Sequence, residues 1–300
     1  MAGKAFRRLR VLRRSRRMPW FTWRSALPYV VPSWVRRLLG PRLVRSWQED
    51  GLVLVRLSSG EVLATPPGCP DPVLAAFSQH EFAYYIDLFE ARNAITPGNV
   101  VIDAGAGFGT FTLLASRLVG PSGRVVAVEP VPDSLAALER TVKANGLDNV
   151  TVVPDALAAQ EGSITIHMAS GAYSGASACD GVAPHGETVR AYQVRATTLD
   201  ALVTDLGLPK VDFIKMNLEG MEEAALRGGA ETLRRHAPLL ALSAAHLPED
   251  RDRLPSVLRE LQPSYVTVLS TAGGASREHP VLLAAPNGEW CEGGSPFADR

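Results

Sequence analysis

The stretch Val100-Val101-Ile102-Asp103-Ala104-Gly105-Ala106-Gly107-Phe108-Gly109-Thr110 constrains the fold more than any other part of the 300-residue chain. A short apolar run gives way to DxGxGxG and then to helix-forming sequence. A short, continuously apolar strand belongs inside a sheet covered on both faces. The glycines let the backbone turn tightly and approach a ligand closely. The helix start that follows offers free N–H groups and positive potential. A dinucleotide-binding turn reads GxGxxG, with pyrophosphate over the helix start. Here the sixth position is Thr110, and a carboxylate at Asp103 would repel pyrophosphate. That carboxylate suits a ligand carrying an amine and a sulfonium.

The flanking sequence repeats the pattern of apolar strand and amphipathic helix. Residues 51–57 and 61–65 alternate around Ser58-Ser59-Gly60 and predict a hairpin. Residues 79–94 predict a helix closed near Pro97-Gly98. Strands follow at 100–103, 124–129, 150–154, 211–216 and 239–243. Helices are expected at 109–119, 134–145, 198–206, 221–235 and 251–261. Two candidate strands, 163–167 and 191–195, flank a polar stretch at 168–188, and two more lie near 264–269 and 280–285. Such alternation means an α/β fold: a Rossmann-like, doubly wound, mostly parallel seven-stranded sheet. The chain divides into a basic arm (1–47), a hairpin-and-helix attachment (48–95), the main domain (96–286) and a tail (287–300).

In such sheets ligands sit beyond the carboxyl ends of the strands. Glu129, followed by Pro130, closes the second strand of the main domain, and a carboxylate there accepts the hydroxyls of a ribose. Asp155-Ala156 follows the third, where a carboxylate can face an adenine amino group. Each acidic residue alone reads as a surface or capping carboxylate. Three on successive strand ends, with the glycine loop, point to S-adenosylmethionine. The fourth strand ends in Lys215-Met216-Asn217-Leu218-Glu219-Gly220. Asn217 and Glu219 are therefore candidates for substrate contact, Glu219 as a general base or as a residue that merely favours a helix start. Lys215, facing opposite to Met216, is expected to bury its stem and pair with a carboxylate. His246, past the fifth strand, is a second candidate base or a satisfied structural histidine. The six histidines show no HxxxH or HExxH spacing, so no metal site is expected.

With these residues in place, the chain resembles the FkbM-type family of class I, S-adenosylmethionine-dependent methyltransferases over about residues 79–245. The likeness rests on VVIDAGAGFGTFT (100–112), VVAVEP (125–130), Thr198-Leu199-Asp200 before a helix, and FIKMNLEGMEEAALRGG (213–229). It implies that Asp103, Gly105, Gly107, Gly109, Glu129 and Pro130 hold the cofactor, that Asp155 and Ala156 lie near the adenine, and that Glu81 belongs to the family's acidic helix ahead of the loop. It also implies methylation of hydroxyls on sugars, polyketides or other small natural products. Two positions depart from the family pattern. Asn217 stands where an Asp is usual; it keeps hydrogen bonding but loses charge and proton-accepting capacity. The usual acidic residue after the fifth strand is missing, and the chain reads Leu242-Ser243-Ala244-Ala245-His246. Either the base has moved to Glu219 or His246, or catalysis rests on positioning, or activity is weakened.

Zero net charge conceals a split: residues 1–48 hold thirteen basic side chains and no acidic one, leaving 18 basic against 31 acidic beyond them. Trp20, Trp23, Trp34 and Trp47 are interleaved with those arginines. Such an arm suits an anionic membrane surface or an acidic partner, and less well nucleic acid; it also reads as a solvated leader. Pro19, Arg24 and Pro28 interrupt Met18 to Pro32, so no secretory core follows the basic start. Three scattered cysteines without CxxC point to a reducing, cytoplasmic setting, peripheral to a membrane if the arm docks there. The competing functions are an RNA ribose methyltransferase using the arm, a non-catalytic cofactor-binding descendant, and, more distantly, an NAD-dependent dehydrogenase. NLEG at the fourth strand, in place of an NPPY-like tetrad, argues against amino-methylation of bases.

Overall fold

The computed structural model describes residues 43–58, 60–67, 95–169, 189–270 and 280–288. The chain divides into two compact units, residues 1–47 with 55–62, and residues 48–54 with 63–300. Strands β1 (Leu43–Glu49), β2 (Leu52–Leu57) and β3 (Val62–Thr65) come first. Strand β1 begins inside the segment whose sequence is basic, and there the Arg45 guanidinium lies 5.6 Å from the centre of the Trp47 ring. A tight turn after β2 is closed by hydrogen bonds from Gly60 to Leu57 and from Leu57 to Glu61. The helix expected at 79–94 lies outside the described residues.

The larger unit is built on a seven-stranded sheet. Its strands are β4 (Val100–Ala104), β5 (Arg124–Val128), β6 (Val150–Val153), β10 (Phe213–Met216), β11 (Leu239–Ser243), β12 (Tyr265–Ser270) and β13 (Val281–Pro286). They lie in the order β12-β13-β11-β10-β4-β5-β6. All neighbours are parallel except β13, which runs antiparallel to both β11 and β12. The chain order reverses between β4 and β10, which is where such a sheet opens its ligand crevice.

Adjacent residues on a strand bury themselves on opposite faces. Ile102 and Ile214 pack into one core with Leu199, Leu226, Leu254 and Leu258. Val101 and Phe213 pack into the other with Phe111, Leu118 and Val119. The rings of Phe111 and Phe213 stack with centres 6.2 Å apart. Helices α1 (Thr110–Val119) and α2 (Pro132–Asn145) follow β4 and β5. Helices α3 (Leu199–Asp205), α4 (Glu222–Arg227), α5 (Ala230–His236) and α6 (Asp250–Leu261) complete the cover.

The single helix expected over 221–235 is two, broken at Gly228-Gly229. The break has a packing cause. A Cβ on Gly228 would overlap the Ala158 carbonyl oxygen, and one on Gly229 would overlap the Leu199 side chain. Asp200 closes the joint: its N–H donates to the Gly228 carbonyl at 3.0 Å, while its carboxylate accepts the N–H groups of Glu231 (3.0 Å) and Thr232 (2.7 Å) at the start of α5. Thr198 caps α3 by accepting the Ala201 N–H at 3.0 Å. The Thr198-Leu199-Asp200 step is therefore the fastening point of two helices.

Strands β7 (Ala156–Leu157), β8 (Gly162–Ala169) and β9 (Val189–Thr197) form a second sheet of order β7-β9-β8. The two candidate strands at 163–167 and 191–195 are the middles of β8 and β9, which pair antiparallel. Val131, Ala156, Ile166, Met168 and Val194 form its core.

Candidate active site

The first part of the site is the turn from β4 into α1. Gly105, Gly107 and Gly109 all have positive φ, at 73°, 55° and 90°, a region that costs a residue with a Cβ energy. Their surroundings differ. A Cβ on Gly105 would overlap the Asn217 carbonyl oxygen, one on Gly109 would press on Leu138, and one on Gly107 would meet only open space. Gly105 and Gly109 are thus packing glycines, and Gly107 borders the crevice. The N–H groups of Gly105 and Ala106 donate to the Val128 carbonyl, each at 3.0 Å, tying the loop to the end of β5.

Glu129 follows β5 and is 6% exposed. Its carboxylate accepts the N–H of Gly107 at 2.8 Å and of Val131 at 2.9 Å. Burial pushes its pKa up to about 7 against those two hydrogen bonds. Pro130 is half-buried beside it. Asp155, beyond β6, has a side chain 11% exposed and lies 3.7 Å from the Arg195 guanidinium. Ala156 is buried in β7, paired with Ala196.

Asp103 sits beneath the loop. It has no exposed surface. One oxygen accepts the Thr112 hydroxyl at 2.6 Å, and the other meets the Lys215 ammonium at 2.9 Å. Lys215 also donates to the carbonyls of Gly105 (2.7 Å) and Ala104 (3.3 Å). The pairing expected of Lys215 is therefore present, and its partner is the carboxylate that sequence alone directed at a ligand. Thr112, in the first turn of α1, had no signal in the sequence.

The second part lies at the ends of β10 and β11. The Asn217 N–H donates to the Ala104 carbonyl at 3.0 Å, which brings this turn against the glycine loop. Glu219 and Gly220 follow with φ of 52° and 95°. A positive φ at a glutamate is strained, and such strain concentrates at functional sites. Glu219 is 22% exposed, and its carboxylate lies 3.5 Å from Nε2 of His246. The Ser243 hydroxyl is 3.5 Å from the same nitrogen. Nδ1 of His246 lies 2.9 Å from Glu222. The backbone N–H groups of His246 and Leu247 donate to Asp250 at the start of α6. Asn217, Glu219 and His246 are thus brought to one end of the sheet. Glu81 lies outside the described residues.

Burial raises the pKa of Glu219; the charge of His246 opposes that rise and Glu222 adds to it. Burial alone would lower the His246 pKa, but the hydrogen bond and charge of Glu222, with the charges of Glu219 and Asp250, push it up to about 9. The ring is therefore an imidazolium at neutral pH. One oxygen or nitrogen each of Glu222, His246 and Asp250 lie within 4.8 Å of one another, as around a cation. Chain N–H groups already occupy both oxygens of Glu222 and one of Asp250.

The sheet order, the single antiparallel strand and the glycine turn define the class I methyltransferase fold, whose enzymes take their methyl group from S-adenosylmethionine. The model of the methyltransferase FkbM domain matches residues 103–266, more than half of the chain, and the chain belongs to that family. It is 34% identical over 74 residues to protein-L-isoaspartate O-methyltransferase from Ignicoccus hospitalis, covering 25% of this chain and 33% of that protein. It is 37% identical over 61 residues to arsenite methyltransferase from Halobacterium salinarum, covering 20% and 16%. The chain thus spans a third or less of the length of these relatives. Among solved structures it is similar to methyltransferase FkbM from Methylobacillus flagellatus KT, with a TM-score of 0.47, 21% identity, and coverage of 62% of this chain and 43% of that one. Among the described residues, no helix is long and apolar enough to cross a membrane.

Proposed function

We propose that this chain is an S-adenosylmethionine-dependent methyltransferase that acts on a hydroxyl of a small molecule, with Glu219 as the proton acceptor. The observation that carries this reading is Glu219 itself: a strained, largely buried carboxylate of raised pKa, beside an imidazolium, on the turn that touches the glycine loop. A raised pKa makes a carboxylate a better base at neutral pH.

The residues fit the cofactor. Gly107 borders open space where an adenosyl group can approach the backbone. Glu129 has two oxygens with lone pairs to spare at a strand end, suited to ribose hydroxyls. Asp155 stands one strand further, suited to the adenine amino group. Asp103 supports the loop through Lys215.

S-adenosylmethionine supplies an electrophilic methyl carbon on a sulfonium. With the methyl group supplied by that cofactor, Glu219 would accept the proton that the acceptor hydroxyl gives up. The charge of His246 opposes the rise that burial imposes on the Glu219 pKa and so favours its ionised form. Asn217 orients the acceptor by hydrogen bonding and takes no proton. Because the sulfur leaves uncharged, alignment and exclusion of water do most of the work.

The test is calorimetric titration with S-adenosylmethionine, S-adenosylhomocysteine and NAD, followed by a screen of hydroxylated sugars and polyketides that reads S-adenosylhomocysteine formation. Binding of the two sulfur ligands alone, and turnover that Glu219→Gln lowers by at least about 100-fold without weakening cofactor binding, is the expected result. Binding of NAD, or an active Glu219→Gln protein, would overturn it.

A further inference from the structure

Glu222 stands outside the chemistry just described, yet its carboxylate is tied at three points. Its side chain is 1% exposed. It accepts the N–H of Leu218 at 2.7 Å and of Gly220 at 3.0 Å, the two residues on either side of Glu219. One of the same oxygens meets Nδ1 of His246 at 2.9 Å. One carboxylate therefore binds three N–H groups from two strand ends.

We infer that Glu222 is a positioning residue, which holds the strained turn that carries Glu219 and fixes the His246 ring so that Nε2 is the nitrogen presented to Glu219. The inference rests on the proposed role of Glu219. Its warrant is geometric. The left-handed conformation at Glu219 is disfavoured unless its surroundings over-determine it, and the two flanking N–H groups tied to one buried carboxylate do so. A ring whose Nδ1–H is held by a buried acceptor has its orientation and its outward nitrogen set, as where a carboxylate orients a functional histidine. Replacing Glu222 by Gln keeps an acceptor for the turn and removes the charge that faces the ring.

The groups that face His246 are Glu222 from α4, Glu219 from the preceding turn, Asp250 from α6 and Ser243 from β11. The carboxylates among them favour the imidazolium, and Glu222 is the nearest.

The experiment is nitrogen-15 NMR of the full chain labelled at histidine, with the His246 signals identified by their loss in His246→Gln. In the unsubstituted protein the ring is expected to stay doubly protonated to about pH 9 and to show a slowly exchanging Nδ1 proton. In Glu222→Gln the midpoint should fall by at least about one unit, tenfold in proton affinity, with S-adenosylmethionine affinity within about twofold of the parent. Glu219→Gln should retain the slow Nδ1 proton. An unmoved midpoint in a folded Glu222→Gln protein overturns the inference. If that variant does not fold, a rapidly exchanging Nδ1 proton in the unsubstituted protein overturns it instead. A parent protein that binds no S-adenosylmethionine would overturn the proposed function and leave the ring spectra as a test of Glu222 alone.

Discussion

Lys215 and Asp103 are register partners on neighbouring strands β10 and β4, and their side chains meet at 2.9 Å with no solvent access to the carboxylate. The pair belongs to the scaffold of the glycine loop, because the same ammonium holds the Gly105 carbonyl. Breaking a buried pair strands a charge and costs about 3–5 kcal/mol. Lys215→Met and Asp103→Asn should each lower the denaturant midpoint accordingly. The double variant Asp103→Leu with Lys215→Met should be more stable than either, since it strands no charge. Single variants as stable as the parent would show that water reaches the pair.

Glu129 predicts a pH dependence of cofactor binding. In the proposed role the ionised carboxylate is the form that would accept ribose hydroxyls, and its pKa is raised to about 7. Affinity for S-adenosylhomocysteine should therefore weaken as pH falls through 7 and be level above it. Glu129→Gln should bind about 10- to 100-fold more weakly, the range for a hydrogen bond to a charged group, and should lose the pH dependence. Calorimetry from pH 5.5 to 8.5 reads both effects.

His246 predicts a stability effect at the other end of the scale. Its folded pKa, near 9, lies above the unfolded value of about 6.5. The stabilisation is complete below about 6.5 and is lost as pH rises through 9. His246→Gln should therefore be least stable relative to the parent near pH 6 and approach it above pH 9. Urea denaturation at both values measures the difference.

Two glycines of one loop should fail differently. Gly105→Ala must displace the Asn217 carbonyl as well as adopt a left-handed conformation, and should cost several kcal/mol of stability. Gly107→Ala meets open space, so about 1 kcal/mol of backbone strain is expected. Its added methyl points into the crevice, so its main effect should be on cofactor affinity. Melting and calorimetry together separate the two.

The sheet was legible in the sequence because each strand is a short apolar run bounded by turn residues, and Val101 and Ile102 serve opposite cores without polar interruption. The candidate residues were legible as strand ends: Glu129, Asp155, Asn217, Glu219 and His246 all follow strands. Tertiary packing was not legible. Nothing local distinguishes Asp103 as a buried partner of Lys215, because the two meet only through the β4–β10 register. The break at Gly228-Gly229 inside the helix expected over 221–235 was not legible, because its cause is the Ala158 carbonyl and Leu199, far away in sequence. Glu222 opens α4, and its bonds to Leu218 and Gly220 belong to a helix start. Its bond to His246 depends on where β11 ends.

The joint at Gly228 has a consequence for altering the chain. Ala158 and Leu199 are the two ends of the segment that contains β8 and β9, and both rest against that glycine pair. The sequence between residues 159 and 197 can be exchanged while these two anchors stay against the glycine pair. An exchange that cuts outside them also discards the cap that Asp200 places on α5. Segments grafted between residues 159 and 197 should therefore be spliced inside this clamp, where the new sequence inherits a fixed doorframe.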